Sequence, residues 1–221
     1  MGCDLLSLAT EGVQGLHPYQ PGKPVDELER ELGISNIVKL ASNENPLGPS
    51  PKVLDALQAA FQDVCRYPDG SGFKLKTALA DKYHLDTEQI TLGNGSNDLL
   101  EIIARVFADK TSEIVFSQYA FAVYPIVTQA IGAIPVEVPA VNWGHDLTAM
   151  AQAITPNTKL VFIANPNNPT GTYVSQDALK AFLDEVPENV IIVLDEAYCE
   201  YIEDSQDDFP DSLSLLPHYP N

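Results

Sequence analysis

Leu160-Val-Phe-Ile-Ala164-Asn-Pro-Asn-Asn-Pro-Thr-Gly171 and Val190-Ile-Ile-Val-Leu194-Asp-Glu-Ala-Tyr198 decide the fold of this chain. Each opens on five apolar residues in a row, which is strand length and too short for a helix. Apolar runs without polar alternation suit strands covered on both faces, as in a parallel sheet. Between them, residues 176–185 carry apolar positions at helical spacing, and Ser175 suits the N-cap. Strand, helix and second buried strand together predict a βαβ unit.

The same alternation extends outward in both directions. Further candidate strands lie at 34–40, 90–92, 113–117 and 134–138, and candidate helices at 51–62, 73–83, 98–108, 121–130 and 147–154. In the helix at 98–108, Leu99, Ile102, Ile103 and Val106 form one stripe. Pro51 suits the first turn of its helix. The predicted fold class is α/β, a mostly parallel sheet with helices on both faces. The first 33 residues carry Gly12, Gly15, Pro18, Pro21, Gly22 and Pro24, which predicts an extended arm with one short helix near 25–32.

Composition excludes several classes of function. The 221 residues hold 31 Asp plus Glu against 12 Lys plus Arg, a formal charge of −19, and the few cations are scattered. Nucleic acid and anionic lipid need clustered cations, so neither is an expected partner. No apolar run approaches the roughly 20 residues that cross a bilayer. The opening Met1-Gly-Cys-Asp-Leu-Leu6 lacks the pattern of a signal peptide, and a cytoplasmic location is expected. Cys3, Cys65 and Cys199 form no C-x-x-C pair, and His17, His84, His145 and His218 share no ligand spacing. Free thiols and no bound metal follow. From 181 to 221 there are eleven acids and no Lys or Arg, although the buried strand at 190–194 lies inside that run.

In parallel sheets ligands sit at the carboxyl ends of strands, so three loops matter most. The first, Gly93-Asn-Gly-Ser-Asn-Asp98, runs into a helix whose N-terminus can hold a phosphate. It also reads as a tight turn capped by Asn97 or Asp98. A dinucleotide fingerprint wants Gly at position 98, where Asp98 stands. The second, Asn165-Pro-Asn-Asn-Pro-Thr-Gly171, is a rigid turn that can present an amide, or an ordinary strand-ending turn. The third, Asp195-Glu-Ala-Tyr198, ends a buried strand on a carboxylate, which needs a cation or strong donors. A metal ligand or the acid of a nucleotide hydrolase would also stand there, but the chain holds no Gly-x-x-x-x-Gly-Lys-Ser/Thr loop. It holds no Gly-x-Ser-x-Gly elbow either. Pyridoxal phosphate uses all three loops: a phosphate for the glycine turn, a ring nitrogen for the carboxylate, and a phenolic oxygen for an amide and a Tyr hydroxyl.

The strings Leu16-His-Pro-Tyr-Gln-Pro-Gly22, Lys39-Leu-Ala-Ser-Asn-Glu-Asn-Pro-Leu-Gly48, Arg66-Tyr-Pro-Asp69 and Leu92-Gly-Asn-Gly-Ser-Asn-Asp98 join the two strand-end loops in one order. That order resembles the fold type I aminotransferases, and its wording resembles the histidinol-phosphate aminotransferase branch, over nearly the whole chain. The resemblance implies pyridoxal 5'-phosphate as cofactor and transfer of an amino group between histidinol phosphate and 2-oxoglutarate. It implies that Ser96 and Asn97 hold the cofactor phosphate and that Tyr119 stacks on the ring, with Phe121 as rival. It implies that Asn168 and Tyr198 donate to the phenolic oxygen and that Asp195 pairs with the ring nitrogen. Tyr67 would reach the cofactor of a neighbouring subunit, implying a homodimer, and Tyr19 and Asn45 would line the substrate pocket. Residues 1–45 would form an arm contributing to a small domain or dimer contact, and 46–221 the cofactor-binding large domain.

One departure stands out. The family places its Schiff-base Lys after the Asp-x-x-Tyr strand, and no Lys follows Lys180 here. The substrate-binding Arg residues are equally absent, since Arg30, Arg66 and Arg105 match none of them. The expectation is the amino-terminal part of a longer polypeptide, inactive alone; a natural short homologue is the alternative. An aromatic-amino-acid aminotransferase or a threonine-phosphate decarboxylase of the same fold, and a non-catalytic cofactor-binding or dimerising module, are the other readings.

Overall fold

The computed structural model describes residues 4–202 and 208–221. Met1, Gly2 and Cys3 of the opening residues read for a signal, and Glu203, Asp204 and Asp207 of the acidic run, lie outside the described residues. The helices are α1 (Glu11–Gln14), α2 (Val25–Leu32), α3 (Pro51–Ala60), α4 (Phe73–Tyr83), α5 (Ser96–Phe107), α6 (Val123–Ala130), α7 (Leu147–Gln152), α8 (Gln176–Glu185) and α9 (Ser212–Leu215). The strands are β1 (Glu113–Ser117), β2 (Ile134–Val138), β3 (Thr158–Ala164) and β4 (Ile191–Asp195). Among the described residues they form one sheet in the order β2-β1-β3-β4, every pair parallel. The predicted α/β class is the observed one, and the predicted caps Ser50 with Pro51 and Ser175 are in place on α3 and α8.

The chain contacts divide into two units: the chain up to Tyr19 with Thr91–Asn221, and Gln20–Ile90. In the first, the sheet is buried on both faces because neighbouring residues of each central strand point to opposite sides. Ile114, Phe116, Leu160, Phe162 and Ala164 pack with Leu100 and Ala104 of α5 and with Val123, Tyr124 and Val127 of α6. Val115, Val161 and Ile163 pack on the other face with Leu147, Met150, Leu179, Phe182 and Leu183 of α7 and α8. Fully burying one such aliphatic or aromatic side chain contributes roughly 1.5–3 kcal/mol, which offsets the cost of ordering the chain. Within this unit Gly12 lets α1 approach α6 closely, since a Cβ there would sit 2.1 Å from the Gln129 carbonyl oxygen. The second unit holds α2, α3 and α4, and Ala80 is its one buried described residue.

Two predicted strands are absent. Residues 34–40 and 90–92 are irregular. A strand exists only by pairing, and neither segment has a ladder partner. Asn36, at φ 62°, also breaks the extended run in the middle of 34–40. Ile90 instead follows a short turn, Thr87–Gln89, closed by a capping box between Asp86 and Gln89. Helix bounds moved by a residue or two: α5 starts at Ser96 because Gly95, at φ 82°, ends the preceding turn there.

Candidate active site

The strand register sets the site. Ala164 pairs with Asp195, and the Asn165 amide donates to the Asp195 carbonyl at 2.9 Å, so both loops leave the carboxyl edge together. One hollow at that edge, about 40 Å³, is lined by Ser96, Phe121, Asn168, Asp195 and Tyr198, with Ala164, Pro166 and Ala197. Ser96, Asn168, Asp195 and Tyr198, four cofactor candidates from three separate loops, therefore share one lining with Phe121, the rival to Tyr119. A larger cleft of about 490 Å³ lies beside α7 and α8 and holds none of those four. Size alone does not mark the chemistry here.

Each lining group is fixed by its own local device. Gly93 is required by close approach, since a Cβ would meet Leu99 at 2.8 Å. The Asn94 amide donates to Asp98 at 3.0 Å, which closes the turn ahead of α5. No side chain caps α5, whereas Ser50, Asp146 and Ser175 cap α3, α7 and α8. The first amides of α5 thus stay available to an anion beside exposed Ser96 and Asn97.

The loop after β3 is braced from within. Buried Asn165 accepts from the Val174 amide at 2.9 Å, and the Gly171 amide, at φ 71°, donates to the Asn167 carbonyl at 2.8 Å. Asn167 donates to Thr170 Oγ1 at 2.7 Å and across to the Tyr119 carbonyl at 3.0 Å. Half-buried His145 donates from Nε2 to the Ala164 carbonyl at 2.7 Å. Burial pushes the His145 imidazole below its usual range, which keeps it neutral. This bracing presents Asn168, whose Nδ2 lies 3.5 Å from the Tyr198 hydroxyl, at the outer limit of a hydrogen bond.

Asp195 ends β4 with both oxygens engaged. Oδ1 accepts from the Ala197 amide at 3.3 Å, and Oδ2 accepts from the Tyr124 hydroxyl at 2.9 Å. Beside it, burial pushes the Glu196 carboxyl up, against a hydrogen bond from Ser212. Burial, then the Glu200 carboxylate, push the Cys199 thiol up to about 11, so it is no nucleophile at neutral pH.

The remaining sequence candidates are not on this lining. Asn97 follows Ser96 on α5. Tyr119, at φ 59°, lies against Trp143 with ring centroids 5.0 Å apart, while its rival Phe121 lines the hollow. Tyr19 is exposed, and Asn45 and Tyr67 are exposed in the Gln20–Ile90 unit. Sequence reading missed Tyr124, Asn165, Asn167 and His145. A Tyr on a helix face otherwise apolar was the available signal for Tyr124, because a buried hydroxyl needs a partner. Among the described residues, no group of three or more His, Cys, Asp or Glu is placed to hold a metal, and no helix is long and apolar enough to cross a membrane.

Comparison with known proteins adds a family. The model for aminotransferase class I and II matches residues 35–221. Histidinol-phosphate aminotransferase 1 of Idiomarina loihiensis is 58% identical over 216 residues, covering 98% of this chain and 58% of that protein. Histidinol-phosphate aminotransferase 2 of Pseudomonas aeruginosa is 58% identical over 220 residues, covering 99% of this chain and 59% of that protein. A crystal structure of histidinol-phosphate aminotransferase from Sinorhizobium meliloti in complex with pyridoxal-5'-phosphate is similar at a TM-score of 0.81 and 31% identity, covering 91% of this chain and 53% of that one. The chain thus spans about three-fifths of the length of the curated relatives it matches.

Proposed function

This chain belongs to the aminotransferase class I and II family, and on that premise we propose that it forms the cofactor-binding part of a histidinol-phosphate aminotransferase. The complete protein would move an amino group between histidinol phosphate and 2-oxoglutarate, as a cytoplasmic homodimer. The observation that carries the reading is the single lining shared by Ser96, Asn168, Asp195 and Tyr198. Its donor set fits pyridoxal 5'-phosphate: amides at a helix start, a carboxylate, and an amide and phenol side by side. When bound, that group supplies an electron sink for the charge left by loss of the substrate's α-proton.

The chain's own residues have distinct tasks in this scheme. Ser96, Asn97 and the first amides of α5 bind the phosphate, with the helix end adding about half a positive charge. Asp195 holds a proton on the ring nitrogen, an ion-paired contact strongest in a water-poor site. Asn168 and Tyr198 donate to the phenolic oxygen and fix the ring's orientation. Tyr119 supplies the stacking face; Tyr119→Ala against Phe121→Ala, read by cofactor affinity, separates the two. Residues 1–45 act as an arm and 46–221 as the large domain. Tyr67 serves a neighbouring subunit's cofactor, and Tyr19 and Asn45 meet substrate.

The test is glutamate formation from histidinol phosphate and 2-oxoglutarate by the complete purified protein. Faster turnover of phenylalanine or tyrosine would move the assignment to an aromatic-amino-acid aminotransferase. Loss of CO2 from threonine phosphate would move it to a decarboxylase. No Lys follows Lys180, and this favours a second reading for the 221 residues alone: a module that binds the cofactor without covalent attachment. Borohydride reduction and washing should leave them free of cofactor; a label on one of their own lysines would overturn that reading.

A further inference from the structure

The Tyr124 hydroxyl reaches a site carboxylate from α6, one of the helices that cover the sheet. Tyr124 is the second residue of α6 and is 0% exposed. Its ring stacks on Phe162 of β3 at 4.8 Å and 10°, and meets Phe121 edge-on at 5.9 Å and 90°. Its amide donates to the Phe121 carbonyl at 3.1 Å, and its carbonyl accepts from Thr128 Oγ1 at 2.7 Å. Ring and backbone are therefore both held. The hydroxyl crosses from α6 to the end of β4 and donates to Asp195 Oδ2 at 2.9 Å.

We propose that Tyr124 is a positioning residue that holds the Asp195 carboxylate aimed into the hollow. The inference rests on the reading of Asp195 given above. Phe in this place would satisfy both ring contacts without burying a hydroxyl, and a buried hydroxyl is costly unless bonded. Burial, then the Asp195 charge, push the Tyr124 phenol far above its usual range. It is therefore a permanent donor and moves no proton itself. With Tyr124 on Oδ2 and the Ala197 amide on Oδ1, the carboxylate plane has one donor on each oxygen and cannot rotate freely. Glu196 and Tyr198 are the other titratable groups around Asp195, and neither makes this bond.

The test is Tyr124→Phe in the complete holoenzyme, with Phe162→Leu as a packing control. Deleting a hydrogen bond to a charged group removes stabilisation of that charge, so the acid limb of the kcat–pH profile should move to higher pH. At neutral pH kcat should fall about tenfold, with KM nearly unchanged. Phe162→Leu should lower the melting temperature and leave the acid limb in place. An unmoved acid limb in Tyr124→Phe, or a loss equal at every pH, makes Tyr124 a packing residue only and overturns the proposal. Wild-type protein without bound cofactor or transamination would sink the functional reading and this one together. Normal wild-type turnover, an inactive Asp195→Asn and an unaffected Tyr124→Phe would sink this one alone.

Discussion

The two units of this chain carry family strings of similar density on very different physical support. In the unit built on β1–β4, two clusters of buried side chains cover both faces of the sheet, and the strand ends present the site. In Gln20–Ile90, the strings 39–48 and 66–69 lie on a surface where Leu40 is 94% exposed, Leu47 90% and Tyr67 101%. The apolar residues Leu54, Leu57 and Phe61 of α3 and the turn after it are exposed as well. A motif in the first unit is held by its own neighbours. One in the second has no covering layer among the described residues of its unit.

That difference predicts opposite splits between stability and catalysis. Asp195→Ala should cut kcat about a thousandfold, the size of a lost charge contact made in the transition state, while stability falls by only about 1–3 kcal/mol, the cost of leaving the buried Tyr124 hydroxyl without its acceptor. Unchanged turnover would remove Asp195 from the ring-nitrogen role. Phe162→Ala, in the middle of β3, should cost about 3–5 kcal/mol by leaving a cavity between Tyr124 and the sheet, read by denaturant unfolding. Tyr67→Phe should stay within about 0.5 kcal/mol in the same unfolding experiment. It should nonetheless weaken cofactor binding about tenfold, the size of one hydrogen bond to a charged phosphate. A large stability loss in Tyr67→Phe would mean that the exposed unit is held by its own packing, and would break the comparison.

The sheet was legible because its central strands are continuous apolar runs, and the site because its loops follow them directly. Asp195 and Asn168 come from two such loops, Ser96 comes from the glycine turn after the irregular segment 90–92, and all three meet on one lining. The segments 34–40 and 90–92 were misread for one reason: apolar composition marks a strand's faces and says nothing of whether a ladder partner is present. The braces escaped for a different one. Tyr124 reaches Asp195 across 71 positions and Asn167 reaches Tyr119 across 48, so no local spacing signals either contact. Tyr119's place against Trp143 likewise depends on a turn at Asn142 and Trp143, with φ of 50° and 65°, that composition does not announce.

The smallest effect tests how firmly the buried unit holds its loops. His145 ties the end of β3 through Ala164, and its Nδ1 is buried without a partner. Burial lowers its folded-state pKa, so between the unfolded value near 6.5 and the folded one, the unfolded chain binds more protons. The His145 contribution is therefore whole above about pH 6.5 and declines as the pH falls through that window. His145→Asn removes the titration, so its melting temperature should lose less between pH 7.5 and 5.5 than wild type does. Equal losses in both proteins would mean that protonating His145 does not open the β3 end, and that the loop carrying Asn168 is held by Asn165 and Asn167 alone.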